Sequence, residues 1–267
     1  MNFWQMICAL LDSRCERPAM YGPYHLFCLL LTAALTVLAV HMGRRHDAKQ
    51  VNRVLLGTAV LVIVLEIYKQ FNYTFGNGLQ QPHYQWYAFP FQFCSTPMYL
   101  GLLAALLRRG RVHDSLCAYL CTYAVFAGAG VMLYPNTVFI DIIGINIQTM
   151  ICHGSMVVIG AYLLASGHVR LEGKTLLRAV PVFAVCVCVA LVLNELAHRA
   201  GIADFNMFFI SPYEICTLPV YSLVHGALPF PVNILLYVLG FTVAAGIILV
   251  LAALIRRAAV GLRQKCM

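Results

Sequence analysis

The sequence predicts an all-α, polytopic membrane protein with seven transmembrane helices, its N-terminus outside and its C-terminus cytoplasmic. Three observations carry this reading. Hydrophobic residues make up 61% of the 267 positions and charged ones 10%, and mean hydropathy is +0.80. A soluble domain carries about 25% charged residues. Apolar runs near the length of a membrane-crossing helix recur along the chain. Basic residues then gather in alternate loops, so the net charge of +8 reads as a cytoplasmic face and not as a nucleic-acid surface.

The elements follow in order. Residues 1–20 read as an N-terminal interfacial segment, with Trp4 at headgroup level and a stop at Pro18. Met1 to Leu11 lacks a basic leader, so no cleavable signal peptide is expected. Residues 21–256 form the membrane domain and 257–267 a cytoplasmic tail. Spans are expected at about 25–40, 51–71, 89–107, 115–134, 145–166, 175–198 and 232–255, with Pro181 a kink site in the sixth. The aromatic loop NYTFGNGLQQPHYQWYAFP suits an interfacial belt. The loop 199–231 contains MFFI, apolar but too short to cross, so it reads as re-entrant.

Arg44, Arg45, Lys49, Arg53, Arg108, Arg109, Arg111, Arg170, Lys174, Arg178 and the basic C-terminus share one side; only Arg14, Arg17, Lys69 and Arg199 fall on the other. The positive-inside rule orients the bundle accordingly.

This orientation groups polar residues at one depth. Cys94 in FPFQFCSTP would sit about 8 Å, and His153 about 12 Å, below the outer surface at ~1.5 Å per helical residue. Glu66, Lys69, Asn194, Glu195 and His198 cluster near the outer ends of their spans, where ionisable groups need a polar cavity or one another. Cys94 and His153 make the reactive pair: a thiolate nucleophile and an imidazole that takes and returns its proton. A helix N-terminus would favour the thiolate. Asn194, Glu195 or Glu66 would orient the imidazole or bind a headgroup.

Blander readings stand beside these. Ser95 and Thr96 bond to nearby backbone carbonyls. Lys69 snorkels to the interface. His25, His83 and His225 need no catalytic role, and Gly128 and Gly130 permit close helix packing. Most of the 11 cysteines sit in apolar runs as small hydrophobes. Neither a disulfide framework nor zinc-ligand spacing is visible, and no metal or cofactor is expected.

At FPFQFC and CHGSMVVIGAYLL the chain resembles the YwaF-type bacterial integral membrane proteins, which are related to a mammalian transmembrane phospholipid acyltransferase. The resemblance covers about residues 25–255. It implies a cysteine and a histidine as the chemical pair, matched by Cys94 and His153-Gly154, with Asn194 and the Asn206-Met207-Phe208-Phe209 stretch as further family elements. Gln92 stands where the family often carries histidine.

The expected activity is therefore transfer of acyl chains between phospholipids or lysophospholipids through an acyl-cysteine intermediate, in the bacterial cytoplasmic membrane. Catalytic roles fall to Cys94 and His153; Gln92, Asn194, Glu66, Glu195 and Asn206 bind or orient the substrate. Three alternatives remain open from sequence: a lipid hydrolase, a non-catalytic lipid or small-solute transporter or receptor, and a structural protein whose polar patch only fixes helix packing. Sequence leaves the oligomeric state open.

Overall fold

The structure, a computed structural model, describes residues 3, 6, 14–76, 82–218, 220–225 and 227–265. The N-terminal segment expected to lie at the interface falls largely outside them. Eight α-helices are described: α1 (Pro23–Gly43), α2 (Ala48–Phe75), α3 (Thr96–Leu107), α4 (Arg111–Leu120), α5 (Tyr123–Leu133), α6 (Ile143–Ala165), α7 (Gly173–Arg199) and α8 (Phe230–Lys265). Among the described residues no strand forms beyond one isolated bridge, Arg14 to Ile142.

Six helical stretches are long and apolar enough to cross a bilayer: α1, α2, α4 with α5, α6, α7 and residues 230–259 of α8. Many of their outward residues are large and apolar, among them Leu30, Val37, Leu177, Val185, Leu235 and Ile255. Such continuous apolar faces have no stable place in water and fit lipid. The chain is an integral membrane protein.

The third expected span departs from a plain helix. Within 89–107 only the twelve residues of α3 are α-helical, about 18 Å at 1.5 Å rise. The physical reason lies in the sequence itself. Pro90 and Pro97 each lack an amide donor and restrict the residue before them, so the helix starts only at Thr96, with Pro97 in its first turn. The fourth expected span is also interrupted, at Cys121-Thr122, between α4 and α5.

α4, α5 and α6 form the buried centre. α6 packs against α1, α2 and α5; α4 packs against α3 and α7; α8 closes over α5 and α7. The α5–α6 contact depends on Gly128, where an added Cβ would lie 2.6 Å from the His153 carbonyl oxygen. Gly130 has open space around it and plays no such part.

The apolar stretch in loop 199–231 folds into the protein. Met207, Phe208 and Ile210 are fully buried within the main core. Phe208 and Phe209 both adopt positive φ, 59° and 58°, a costly conformation for aromatic residues unless the surroundings enforce it.

Candidate functional site

Cys94 lies two residues ahead of α3, with Ser95 at the N-cap position. Thr96 and Met98 N–H already donate to the Gln92 and Ser95 carbonyls, each at 3.2 Å, and Pro97 carries no N–H, so what this end offers Cys94 is the positive end of the helix dipole. The Thr96 hydroxyl donates to the Phe93 carbonyl at 2.8 Å and pairs with the Tyr119 hydroxyl at 2.8 Å.

Cys94 lines a small, mainly apolar cavity of about 20 Å³ with Val62 of α2 and Ser155, Met156 and Ile159 of α6. That volume holds about one water.

His153 is buried in mid-α6, and its Nδ1 bonds to the Thr149 carbonyl at 2.7 Å. A carbonyl only accepts, so Nδ1 carries the hydrogen and Nε2 the lone pair of the neutral ring. Among the described residues no hydrogen bond joins His153 to Cys94. The cavity beside Cys94 is walled by Ser155 and Met156, two and three residues beyond His153 on α6.

Lys69 does not snorkel outward, as the sequence reading expected. Its ammonium pairs with Glu66 at 2.7 Å, the two side chains only 15% and 8% exposed. Glu66 also accepts from Gln70 Nε2 at 2.8 Å. One turn of α2 thus satisfies both charges locally, so neither must reach the headgroups. Glu66 here balances Lys69 and makes no described hydrogen bond to His153.

The three amides assigned to substrate are occupied by backbone. Gln92 donates to the Asn206 carbonyl at 3.0 Å and accepts from Phe208 N–H at 3.1 Å. Asn194 donates to the Met207 carbonyl at 3.0 Å and accepts from Met207 N–H at 2.7 Å. Asn206 accepts from Ser211 N–H at 2.9 Å, and the Tyr237 hydroxyl donates to the Phe208 carbonyl at 3.0 Å. These groups clamp the strained 207–209 turn, and Phe208 in turn stacks on Phe91 and Phe93 beside Cys94. Gln92, Asn194 and Asn206 therefore hold the turn that packs beside Cys94. Glu195 lies apart, bonded to Arg199 Nε and the Tyr213 hydroxyl, each at 2.6 Å.

His25 is fully buried but satisfied: Nδ1 accepts from Tyr21 N–H at 2.8 Å and Nε2 donates to the Met132 carbonyl at 2.7 Å. It has no capacity left for chemistry.

A second Cys/His cluster forms at the other end of α3 and α6. His113, Cys117 and His168 bring their ligand atoms within 4.8 Å of one another. The sequence reading expected no such cluster. His113 and Cys117 share a helix face four residues apart, a legible pairing; His168 joins them only because the α6–α7 loop turns back. Burial, reinforced by the His113 imidazole, pushes the His168 pKa below its ordinary value, with Asp114 pulling the other way.

The TMEM164 family model matches residues 20–255. No curated protein and no solved structure matches the chain. With the match spanning most of its length, the chain belongs to the TMEM164 family.

Proposed function

We propose that the chain is an intramembrane, cysteine-dependent acyltransferase or transacylase acting on phospholipids, as its likeness to the YwaF-type proteins and their acyltransferase relative implies. The observation that carries the reading is a helix-N-terminal thiol, Cys94, in a cavity walled by Ser155 and Met156, two and three residues beyond the buried imidazole of His153 on α6. A thiol at a helix N-terminus near an imidazole suits nucleophilic attack.

In this reading the chain crosses seven times, N-terminus outside, the residues ahead of α3 completing the third crossing inside protein. Non-helical backbone at that depth is tolerated where protein surrounds it. The site then faces the outer leaflet.

His153 Nε2 takes the Cys94 proton as sulfur attacks the acyl carbonyl. A carbon–sulfur bond forms, the ester carbon–oxygen bond breaks, and the proton goes to the departing lysolipid oxygen. In the return step an acceptor hydroxyl attacks the thioester, its proton passes to His153, and the thiolate leaves and is reprotonated. The positive end of the α3 dipole favours the thiolate and the tetrahedral oxyanion, with the Lys69 ammonium as a second source of positive charge. Water in place of the lipid hydroxyl gives hydrolysis, so the apolar walls around Cys94 decide between transferase and hydrolase.

The test is intact-protein mass spectrometry of the purified chain with a phospholipid donor. An acyl adduct on Cys94 that disappears when lysophospholipid is added supports transfer. Turnover unchanged by Cys94→Ala overturns the mechanism. Saturable lipid binding without turnover on a broad lipid panel selects the carrier or receptor reading.

A further inference from the structure

The cluster at the opposite end of the bundle has its own chemistry. His113 stands in the first turn of α4 and Cys117 one turn later; both are buried, at 1% and 0% exposure. The α3–α4 corner that presents them is tight, with Arg108 and Gly110 at φ 62° and 108°. His168 comes from the loop after α6, where Gly167 at φ 70° reverses the chain. The His168 backbone N–H bonds to Ser166 Oγ at 3.3 Å, and Val169 N–H bonds to the Leu163 carbonyl at 3.3 Å. Two unrelated corners are thus built so that one imidazole from each meets the same thiol.

We propose that His113, Cys117 and His168 bind a thiophilic divalent metal ion of the zinc class. His113 Nδ1 bonds to the Ala104 carbonyl at 2.8 Å. That contact places the hydrogen on Nδ1 and turns the Nε2 lone pair toward the cluster, the arrangement in which metal-binding histidines are held. Cys117 Sγ is 3.5 Å from this Nε2. Bonds of about 2.3 Å to sulfur and 2.0–2.1 Å to nitrogen put the two atoms about 3.5 Å apart on a tetrahedral ion.

The two Nε2 atoms face each other at 2.6 Å. Without metal, one shared proton joins them. With metal, both present lone pairs and the rings separate to about 3.3 Å, the spacing on the same tetrahedron. His168 makes this small retreat, since it sits on a loop and is only half-buried. A polar cavity of about 360 Å³, lined by His168, Asp114, Glu172, Arg170 and Arg178, adjoins the cluster. Water from it fills the fourth position. Imidazole and thiolate together select zinc-like ions over magnesium or calcium, which prefer oxygen. Bound there, the ion fastens the α3–α4 corner to the α6–α7 loop.

The test uses the full-length chain in detergent, stripped of metal and titrated with Zn²⁺ and then Co²⁺. One equivalent of Zn²⁺ should bind. Co²⁺ should give tetrahedral d–d bands and a sulfur-to-cobalt charge-transfer band. Cys117→Ser should remove the charge-transfer band. His168→Gln, on the loop and compatible with folding if the Cys117 variant is not, should weaken Zn²⁺ by at least about 100-fold. Cys94→Ala should leave both readouts unchanged. A cobalt spectrum unaffected by His168→Gln, or lost with Cys94→Ala, overturns the assignment, as does failure of the folded chain to bind Zn²⁺.

Discussion

Two Cys/His groupings occupy opposite ends of the same helices, and they are built differently. No described hydrogen bond joins Cys94 to His153; a buried Lys69–Glu66 pair on α2 and a helix N-terminus stand at that end of the bundle. At the other end His113 contacts both Cys117 and His168, the three ligand atoms lie within 4.8 Å of one another, and what charge lies near, Asp114 with Arg178 at 3.8 Å, is on the exposed side. Convergent lone pairs without a buried charge suit a cation. A thiol spaced from its base, beside an ammonium, suits a reaction in which substrate must come between. Similar residue types thus stand in two different surroundings, and the two proposals rest on that difference.

The largest expected effect separates the two sites. Cys94→Ala should bring acyl transfer below detection, while Cys117→Ser should leave the Cys94 acyl adduct able to form. His153→Ala should slow adduct formation and discharge alike, by about 10²–10⁴-fold, because one imidazole serves both steps. Single-turnover rates for each half-reaction measure this; an effect on one half only would deny His153 its double role.

The ion pair gives the next effect. Lys69→Met strands Glu66 with Gln70 as its remaining partner, a loss of about 3 kcal/mol or more for a buried charge. The double change with Glu66→Gln should recover most of the stability in detergent melting curves. It should not recover Cys94 reactivity: iodoacetamide labelling should stay slower than in the unaltered chain. Recovery of labelling would show that Lys69 only balances Glu66.

Zn²⁺ at 100 times its Kd should stabilise the fold by about 2.7 kcal/mol, if the unfolded chain does not bind it. His168→Gln should abolish the resulting rise in Tm, and Lys69→Met should not. The smallest effects belong to the clamp. Gln92→Ala or Asn194→Ala should each cost about 1–3 kcal/mol by leaving backbone groups of the 207–209 turn unpaired. Each should lower transfer with little change in Zn²⁺ affinity, since the turn packs on Phe91 and Phe93 and not on the second cluster. Finally, cysteine labelling at Asp204 and Lys174, in a background without reactive native thiols, should occur from opposite sides of the membrane; labelling from one side would break the assignment of the two sites to different faces.

Composition and hydropathy alone determined that the chain is helical and lies in a membrane, because every backbone group in lipid must be paired internally and helices do this within one segment. The same local logic placed Cys94 near the start of a helix and tied Gly128 to helix packing, though it tied Gly130 there as well. The tertiary structure decided the rest. It shortened the third helix, made Lys69 an interior charge, turned Gln92 and Asn194 from substrate ligands into a clamp on a strained turn, and joined His168 to a thiol 51 positions away. A sequence shows how deep a polar group should lie, but amides, carboxylates and imidazoles have several partners open to them at one depth. Only packing brings one of those partners within about 3 Å, and that contact determines whether the group holds the fold, binds an ion or stays free to react.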